Sequence, residues 1–195
     1  MGAFSRMTVL LAAAAYSSLV TADPATPRIT SITYSGNGCP NNPDRSGDFN
    51  GPTFAYRRFV AAYPGTNQTV NCEVHIQATG ASAGWQVALS DNWIKGHVVL
   101  DPGTQLDYWT TSYFSQDAAN TGTVQNKIVN NGASTTDQAV TLHQDCAASR
   151  VWSLCIGDDG SPGILNVNFR GALSGGGKGY FEVFTESWDF DWRRC

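Results

Sequence analysis

Length, composition and charge narrow the possible partners of this chain before any motif is considered. The chain has 195 residues, 12 of them basic and 16 acidic, for a formal net charge of −4. Binding to nucleic acid or to an anionic membrane surface requires a basic patch. The basic residues are scattered instead, with Arg57-Arg58 and Arg193-Arg194 as the only doublets. We therefore expect no nucleic acid partner.

The first predicted element is a secretory signal peptide over residues 1–22. Arg6 precedes an apolar run from Met7 to Ala15, and Val20-Thr21-Ala22 supplies the small side chains that signal peptidase requires. The run is too short for a transmembrane helix, which needs about 20 apolar residues, so we expect no membrane insertion. Residues 23–195 then form the mature protein, which the signal predicts to be secreted and extracellular.

Residues 23–195 show the two-residue period of half-buried β-strands. From Val70 to Thr79, for example, Cys72, Val74 and Ile76 alternate with polar residues. The predicted strands, in chain order, are Arg28–Tyr34, Thr53–Val60, Val70–Thr79, Trp85–Ser90, Trp93–Leu100, Leu106–Phe114, Thr121–Val129, Val151–Cys155, Leu165–Arg170, Tyr180–Thr185 and Asp189–Arg193. Turn clusters rich in glycine, asparagine and aspartate separate them. This spacing predicts an all-β fold, an antiparallel β-sandwich of about ten short strands in one domain.

All five cysteines lie beyond residue 22, so we expect disulfides that form outside the cell and stabilise the sandwich. Cys39 follows the first predicted strand and Cys72 lies on the apolar face of the third, which favours a bond between them. Cys195 is the last residue, and a bond from it to Cys155 would tie down the final strand and leave Cys146 unpaired. The alternative is a bond between Cys146 and Cys155, which would leave Cys195 free to bridge to another chain.

Short motifs along the chain carry a family resemblance. Their order is Ile29–Tyr34, Gly38-Cys39-Pro40, Asn71-Cys72, Trp152-Ser153-Leu154-Cys155 and Trp192-Arg193-Arg194-Cys195. In this order they resemble domain of unknown function 4360, a family of small secreted proteins common in filamentous fungi. The resemblance covers essentially all of residues 23–195.

The resemblance implies a framework of four cysteines, which match Cys39, Cys72, Cys155 and Cys195. Cys146 departs from that pattern, and Leu154 stands where family members usually have proline. A role outside the cell, such as one at a host surface, follows from the family's setting. The family implies no reaction, cofactor or catalytic residue.

Motifs associated with catalysis lack the context that catalysis needs. Gly80–Gly84 matches the G-x-S-x-G pattern around Ser82, but a strand follows it instead of the helix that a nucleophile elbow requires. A glycoside hydrolase needs two carboxylates across a cleft. Candidates for such a pair cluster near the C-terminus: Glu182, Glu186, Asp189 and Asp191. Alternation along the last strand directs Asp189 and Asp191 outward. We expect no catalytic site and no enzyme.

Metal and cofactor sites are not predicted either. His75, His97 and His143 are isolated from one another and from any short-range ligand pair of the kind that binds zinc. Asp158-Asp159 precedes a glycine in a predicted turn, and its spacing does not match an EF-hand loop. We therefore expect no metal ion and no cofactor.

Aromatic residues give the remaining indication of function. Trp109 and Tyr113 fall on one face of a strand whose other face also carries aromatic residues, Tyr108 and Phe114. This face is either covered by a neighbouring segment or exposed, and an exposed aromatic face would stack on sugar rings or on a protein. Asn67 begins the sequon Asn67-Gln68-Thr69 in a predicted loop, so we expect glycosylation there.

Two hypotheses of function follow. The first is a non-enzymatic extracellular effector or elicitor that binds a protein of a host or cell surface. The second is a module that binds carbohydrate of the cell wall through an exposed aromatic face that includes Trp109 and Tyr113.

Overall fold

Residues 24–195 are described by a computed structural model, and the predicted signal peptide at 1–22 lies outside the described residues. The strands are β1 (Arg28–Ser35), β2 (Asp44–Ser46), β3 (Thr53–Tyr63), β4 (Thr69–Thr79), β5 (Trp85–Leu100), β6 (Thr104–Phe114), β7 (Thr121–Val129), β8 (Thr136–Asp145), β9 (Ile164–Gly175) and β10 (Gly179–Arg194). Sheet A has the order β1-β4-β9-β6-β7, and sheet B has the order β2-β3-β10-β5-β8. All pairings are antiparallel, which confirms the predicted sandwich.

The inward side chains of both sheets form one apolar core. Phe59 of β3 and Phe169 of β9 meet across the two sheets with ring centroids 5.6 Å apart, and Phe181 of β10 contacts both rings. All three side chains are fully buried. Burial of large aromatic side chains is a dominant source of stability in such a core, because each removes a large apolar area from water.

The central strands of sheet B are longer than the sequence predicts. Two predicted strands, Trp85–Ser90 and Trp93–Leu100, are the single strand β5, and the last two predicted strands are likewise the single strand β10. A register shift where Asp189 pairs with Asp91 and Phe190 with Leu89 leaves an extra residue in β5. This β-bulge breaks the two-residue period, so the sequence pattern shows an interruption where the strand continues.

Two further differences concern the edge of sheet B next to β5. The sequence pattern does not predict β8, because Gln144 takes an inward position where an apolar residue is expected. Conversely, the predicted strand Val151–Cys155 is not a strand in the structure. The segment nevertheless lies beside β5, because Ser153 N donates a hydrogen bond to Val87 O at 2.9 Å. Among residues 24–195, no helix has the length and apolar character to cross a bilayer.

A carboxylate lies at the centre of the core, where the sequence gives no indication of it. Glu186 is fully buried and accepts hydrogen bonds from Tyr56 Oη at 2.6 Å, Asn92 Nδ2 at 2.8 Å and Trp188 Nε1 at 2.8 Å. No basic side chain of the described residues lies within ion-pair distance of it. Burial raises the pKa of Glu186, and the three hydrogen bonds oppose that shift.

The same network joins the two sheets. Asn92 of β5 also donates to Thr110 Oγ1 of β6 at 2.8 Å, and Thr110 in turn donates to Gln144 of β8. Gln144 completes the network by donating to the backbone oxygen of Tyr108 at 3.4 Å. Because a buried polar group without a partner costs about 1–3 kcal/mol, these bonds favour one alignment of the sheets over others.

We expect Glu186 to make stability depend on pH. The folded state holds a proton on Glu186 more tightly than the unfolded state, because the folded pKa is raised. The stability that protonated Glu186 contributes is therefore fully present below its pKa in the unfolded chain. It is lost as the pH rises through its pKa in the folded protein, and the free energy of unfolding then falls by up to about 1.4 kcal/mol per pH unit. The substitution Glu186→Gln removes this part of the pH dependence of stability. Urea unfolding of both proteins from pH 4 to 8 measures it.

The free energy of unfolding of the wild type minus that of Glu186→Gln should fall as the pH rises. Glu182→Gln, a partly exposed carboxylate on the same strand, is the matched control. A difference that stays constant over this range would contradict the prediction.

Two disulfides tie the ends of the sandwich. One joins Cys39 to Cys72 and links the segment after β1 to β4, and the other joins Cys155 to Cys195. Loops of this size contribute about 4 kcal/mol each to stability in the chain-entropy model. Cys146 carries the free thiol and is buried, so the structure contains the Cys155–Cys195 pairing and not the alternative with Cys146.

We expect the Cys146 thiol to be unreactive in the folded protein. Burial is the largest cause that raises its pKa to about 12, and Asp91 and Asp145 add to the shift. Since the thiolate is the reactive form, labelling by a disulfide reagent at pH 8 should be at least about a hundredfold slower in buffer than in urea. Peptide mapping of the labelled unfolded chain should find the label on Cys146; a label on Cys195 would contradict this pairing.

Candidate functional site

The outer face of sheet A carries the aromatic pair that the sequence singles out. Trp109 and Tyr113 of β6 both point away from the core and are half-buried. The Cζ atom of Arg170 lies 5.0 Å from the Trp109 ring centroid, which places a guanidinium over the indole. Tyr113 Oη donates to Glu73 Oε1 at 2.7 Å, and this hydrogen bond is the main cause that raises the pKa of Tyr113 to about 12.

Other polar side chains on this face also bond to one another. His75 Nδ1 lies 2.6 Å from Asn166 Oδ1, and Asn71 Nδ2 donates to Asn168 Oδ1 at 3.5 Å. A ligand on this face would have to replace bonds that the protein already makes. The outer face of sheet A therefore has little free hydrogen-bonding capacity, and its tryptophan is covered by an arginine.

The outer face of sheet B carries the most exposed aromatic side chains of the described residues. Trp93 of β5 is 36% exposed, and Phe184 of β10 is 46% exposed. Among residues 24–195, Leu154 is the other large apolar residue that is exposed. Thr185, next to Phe184, pairs with Lys95, which is two residues from Trp93 along β5. At strand spacings the two aromatic side chains therefore lie roughly 10 Å apart.

Neighbouring side chains hold Trp93 in one orientation. The imidazole of His143 stacks on the indole with ring centroids 3.8 Å apart and an angle of 8° between the planes. His143 Nε2 lies 2.6 Å from Asp91 Oδ1, which fixes the imidazole in turn. Trp93 Nε1 donates to Asp189 Oδ2 at 3.1 Å. We call Trp93 and Phe184, with His143, Lys95 and Asp189, the aromatic platform.

A β-bulge at Phe184 changes the alternation of the side chains that follow it. Val183 pairs with Gly96 and Thr185 pairs with Lys95, so Phe184 is an extra residue in β10. Strict alternation from Phe181 would bury position 185, but the bulge moves the inward position to Glu186. The sequence does give signals for the platform: Trp93 stands between the outward charged residues Asp91 and Lys95, and Phe184 takes the outward position in the alternation from Phe181.

The same face ends in a cluster of arginines around Trp152. The Cζ atom of Arg193 lies 4.1 Å from the Trp152 ring centroid, and that of Arg150 lies 5.7 Å from it. Arg150 Nη2 forms an ion pair with Asp191 Oδ2 at 2.7 Å. Arg193 Nε donates to Gln86 Oε1 at 2.9 Å. We call Trp152, Arg150, Arg193, Asp191 and Gln86 the arginine cluster.

Catalytic candidates from the sequence are not brought together. Ser82 lies in the loop between β4 and β5, where its Oγ accepts a hydrogen bond from Ala25 N at 3.0 Å. Glu186 is buried in the core, whereas Glu182 and Asp189 lie on the outer face of sheet B, so Glu186 does not face them across a cleft. Within residues 24–195, no group of three or more histidine, cysteine, aspartate or glutamate side chains is arranged to hold a metal ion.

Comparison with known families identifies the chain. A family model described as domain of unknown function DUF4360 matches residues 25–195. The chain belongs to the DUF4360 family. This confirms the resemblance drawn from the cysteine and tryptophan motifs. No curated protein matches the DUF4360 chain at a significant level.

Two solved structures show distant likenesses to this DUF4360 protein. One is TmCBM61 in complex with β-1,4-galactotriose, at a TM-score of 0.26 and 12% identity over 86% of this chain and 91% of that chain. Another is the enzymatically active domain of tailspike protein 4 of bacteriophage CBA120, at a TM-score of 0.22 and 13% identity over 82% of this chain and 18% of that chain. Likenesses this weak say nothing about the function of this chain.

We expect a glycan on Asn67. The residue is exposed in the turn between β3 and β4, and its Nδ2 donates to Val60 O at 2.6 Å. An N-linked amide keeps one hydrogen, so this bond can persist after modification. Expression through a eukaryotic secretory pathway should give a mass that falls on treatment with peptide N-glycosidase. The Asn67→Gln variant should lack that shift; an equal shift in the variant would contradict the assignment.

Proposed function

We propose that this protein acts outside the cell as a non-catalytic polysaccharide-binding protein and that the aromatic platform of sheet B is its binding surface. The observation that carries this proposal is the exposed Trp93 indole, which His143 and Asp189 hold in a fixed orientation. The two disulfides support an extracellular location, because such bonds persist in oxidising compartments.

The chemistry of the platform matches that of a sugar chain. A sugar ring has an apolar face of C–H groups, which stacks on an aromatic ring, and a rim of hydroxyl groups, which need hydrogen-bond partners. Trp93 and Phe184 offer the aromatic surface. Lys95 offers donors and Asp189 offers acceptors beside them.

The rigidity of the platform lowers the entropic cost of binding. Trp93 is already oriented by the His143 ring and by the bond to Asp189, so it loses little side-chain entropy when a ligand binds. The platform is part of a continuous sheet face and not a closed pocket. An extended polymer that lies along the strands fits this shape better than a small molecule.

The location differs from the one that the sequence favours. Trp109 lies under Arg170, the Tyr113 hydroxyl is bonded to Glu73, and both side chains are less exposed than Trp93. The opposite face therefore supplies a matched control within the same protein. An effector that binds a host protein remains the alternative if no polymer is bound.

Substitution of Trp93 tests the proposal. We expect the oxidised wild-type protein to be retained on at least one of insoluble chitin, β-glucan and cellulose. Trp93→Ala should weaken this binding by at least about tenfold, because aromatic anchors dominate the energy of such contacts. Phe184→Ala should have a smaller effect. Trp109→Ala should change the binding by less than about twofold.

Binding isotherms on each polymer measure these effects, and urea unfolding of each variant checks that the fold is kept. Equal binding by wild type and Trp93→Ala would refute the platform. Loss with Trp109→Ala alone would move the site to sheet A. Retention of the wild type on no polymer would refute polysaccharide binding and leave the protein-binding effector to be tested.

A further inference from the structure

The arginine cluster places two cationic side chains on a single indole. Arg193 and Arg150 both lie over Trp152, with Cζ-to-centroid distances of 4.1 and 5.7 Å. Stacking on an aromatic ring restricts the orientation of a guanidinium while its N–H groups stay available. The cluster therefore presents oriented donors at one end of the outer face of sheet B.

Only one of these two charges is neutralised by a neighbour. Asp191 forms an ion pair with Arg150, whereas no carboxylate of residues 24–195 lies within ion-pair distance of Arg193. Arg193 is exposed and uses Nε to bind Gln86, and its two Nη groups form no ion pair with any carboxylate of residues 24–195. The next outward acid along β10 beyond Asp191 is Asp189, at roughly 13 Å from Arg193 by strand spacing.

The chain as a whole does not attract anions. Its formal net charge is −4, so long-range steering works against an anionic ligand and any attraction must come from local contacts. A guanidinium fork matches a planar carboxylate with two parallel N–H···O bonds, which a neutral hydroxyl cannot reproduce. Arg193 thus has the chemistry of a carboxylate contact.

The cluster and the platform belong to the same face. Arg193 pairs with Gln86, and Ser187, six residues earlier on β10, pairs with Trp93. The distance between Arg193 and Trp93 is therefore roughly 20 Å along the strand direction. A polymer that stacks on Trp93 and follows β10 reaches Arg193 within a few sugar units.

We infer that the bound polysaccharide carries carboxylate groups, as uronic acid polymers do, and that Arg193, stacked on Trp152, binds one of them. This inference rests on the proposed polysaccharide binding by the aromatic platform. It names the substrate class of that surface and assigns a charge-recognising position at one end of it.

The experiment compares acidic and neutral polymers with the same backbone. Polygalacturonate is set against its fully methyl-esterified form, and carboxymethyl cellulose against hydroxyethyl cellulose. We expect wild type to bind at least one acidic polymer about tenfold more tightly than its neutral counterpart. Arg193→Gln should remove that preference, so that the acidic and neutral forms bind alike, and Arg193→Lys should restore only part of it.

Two controls separate the outcomes. Arg58→Gln removes the same charge from an exposed position on β3 and should keep the preference. Trp93→Ala should weaken binding to acidic and neutral forms alike. Equal binding of both forms by wild type, or an unchanged preference in Arg193→Gln, overturns the carboxylate inference and leaves the platform intact.

Failure of every polymer to bind overturns the proposed function and this inference together. Competition by poly-L-glutamate as effective as that by polygalacturonate also overturns the inference, because the arginine would then recognise acidic groups on any polymer. Dextran sulfate that competes more strongly than polygalacturonate would assign Arg193 to sulfate instead of carboxylate.

Discussion

The pairing of β5 with β10 is the constraint on which the rest of the structure depends. The two strands pair from Gly179 opposite Leu100 to Arg194 opposite Trp85, and they form the centre of sheet B. Since successive side chains point to opposite faces, this one register decides what is buried and what is exposed. It places Glu186 in the core and Asp189 on the outer face.

The buried network and the outer surface lie on opposite faces of the same paired strands, β5 and β10. Glu186 is tied to Tyr56, Asn92 and Trp188 inside the sandwich, which fixes β10 against β3 and β5. On the outside, β5 and β10 carry Trp93 and its partner Asp189. Rigidity inside is thus transmitted to the surface, because the backbone of a paired strand cannot move one face without the other.

The two disulfides and the bulges shape the ends of this arrangement. Cys155–Cys195 holds the end of β10 beside the segment that carries Trp152, and so keeps Arg193 close to that indole. The bulge at Phe184 turns Glu186 inward, and Phe184 is an exposed aromatic side chain on a face that is otherwise largely polar. The outer face of sheet B therefore carries both aromatic and cationic side chains.

Sequence alone determined the all-β class, the antiparallel sandwich and the family, because two-residue alternation and motif order are local properties of the chain. The Cys155–Cys195 pairing was one of two that the sequence left open, and proximity in the fold selects between them. Which aromatic side chain is more exposed was decided only by tertiary structure: both Trp93 and Trp109 take outward positions, but Arg170 covers Trp109 from a strand distant in sequence. The burial of Glu186 also required the structure, since a bulge shifts the strand's alternation in a way that no local pattern encodes.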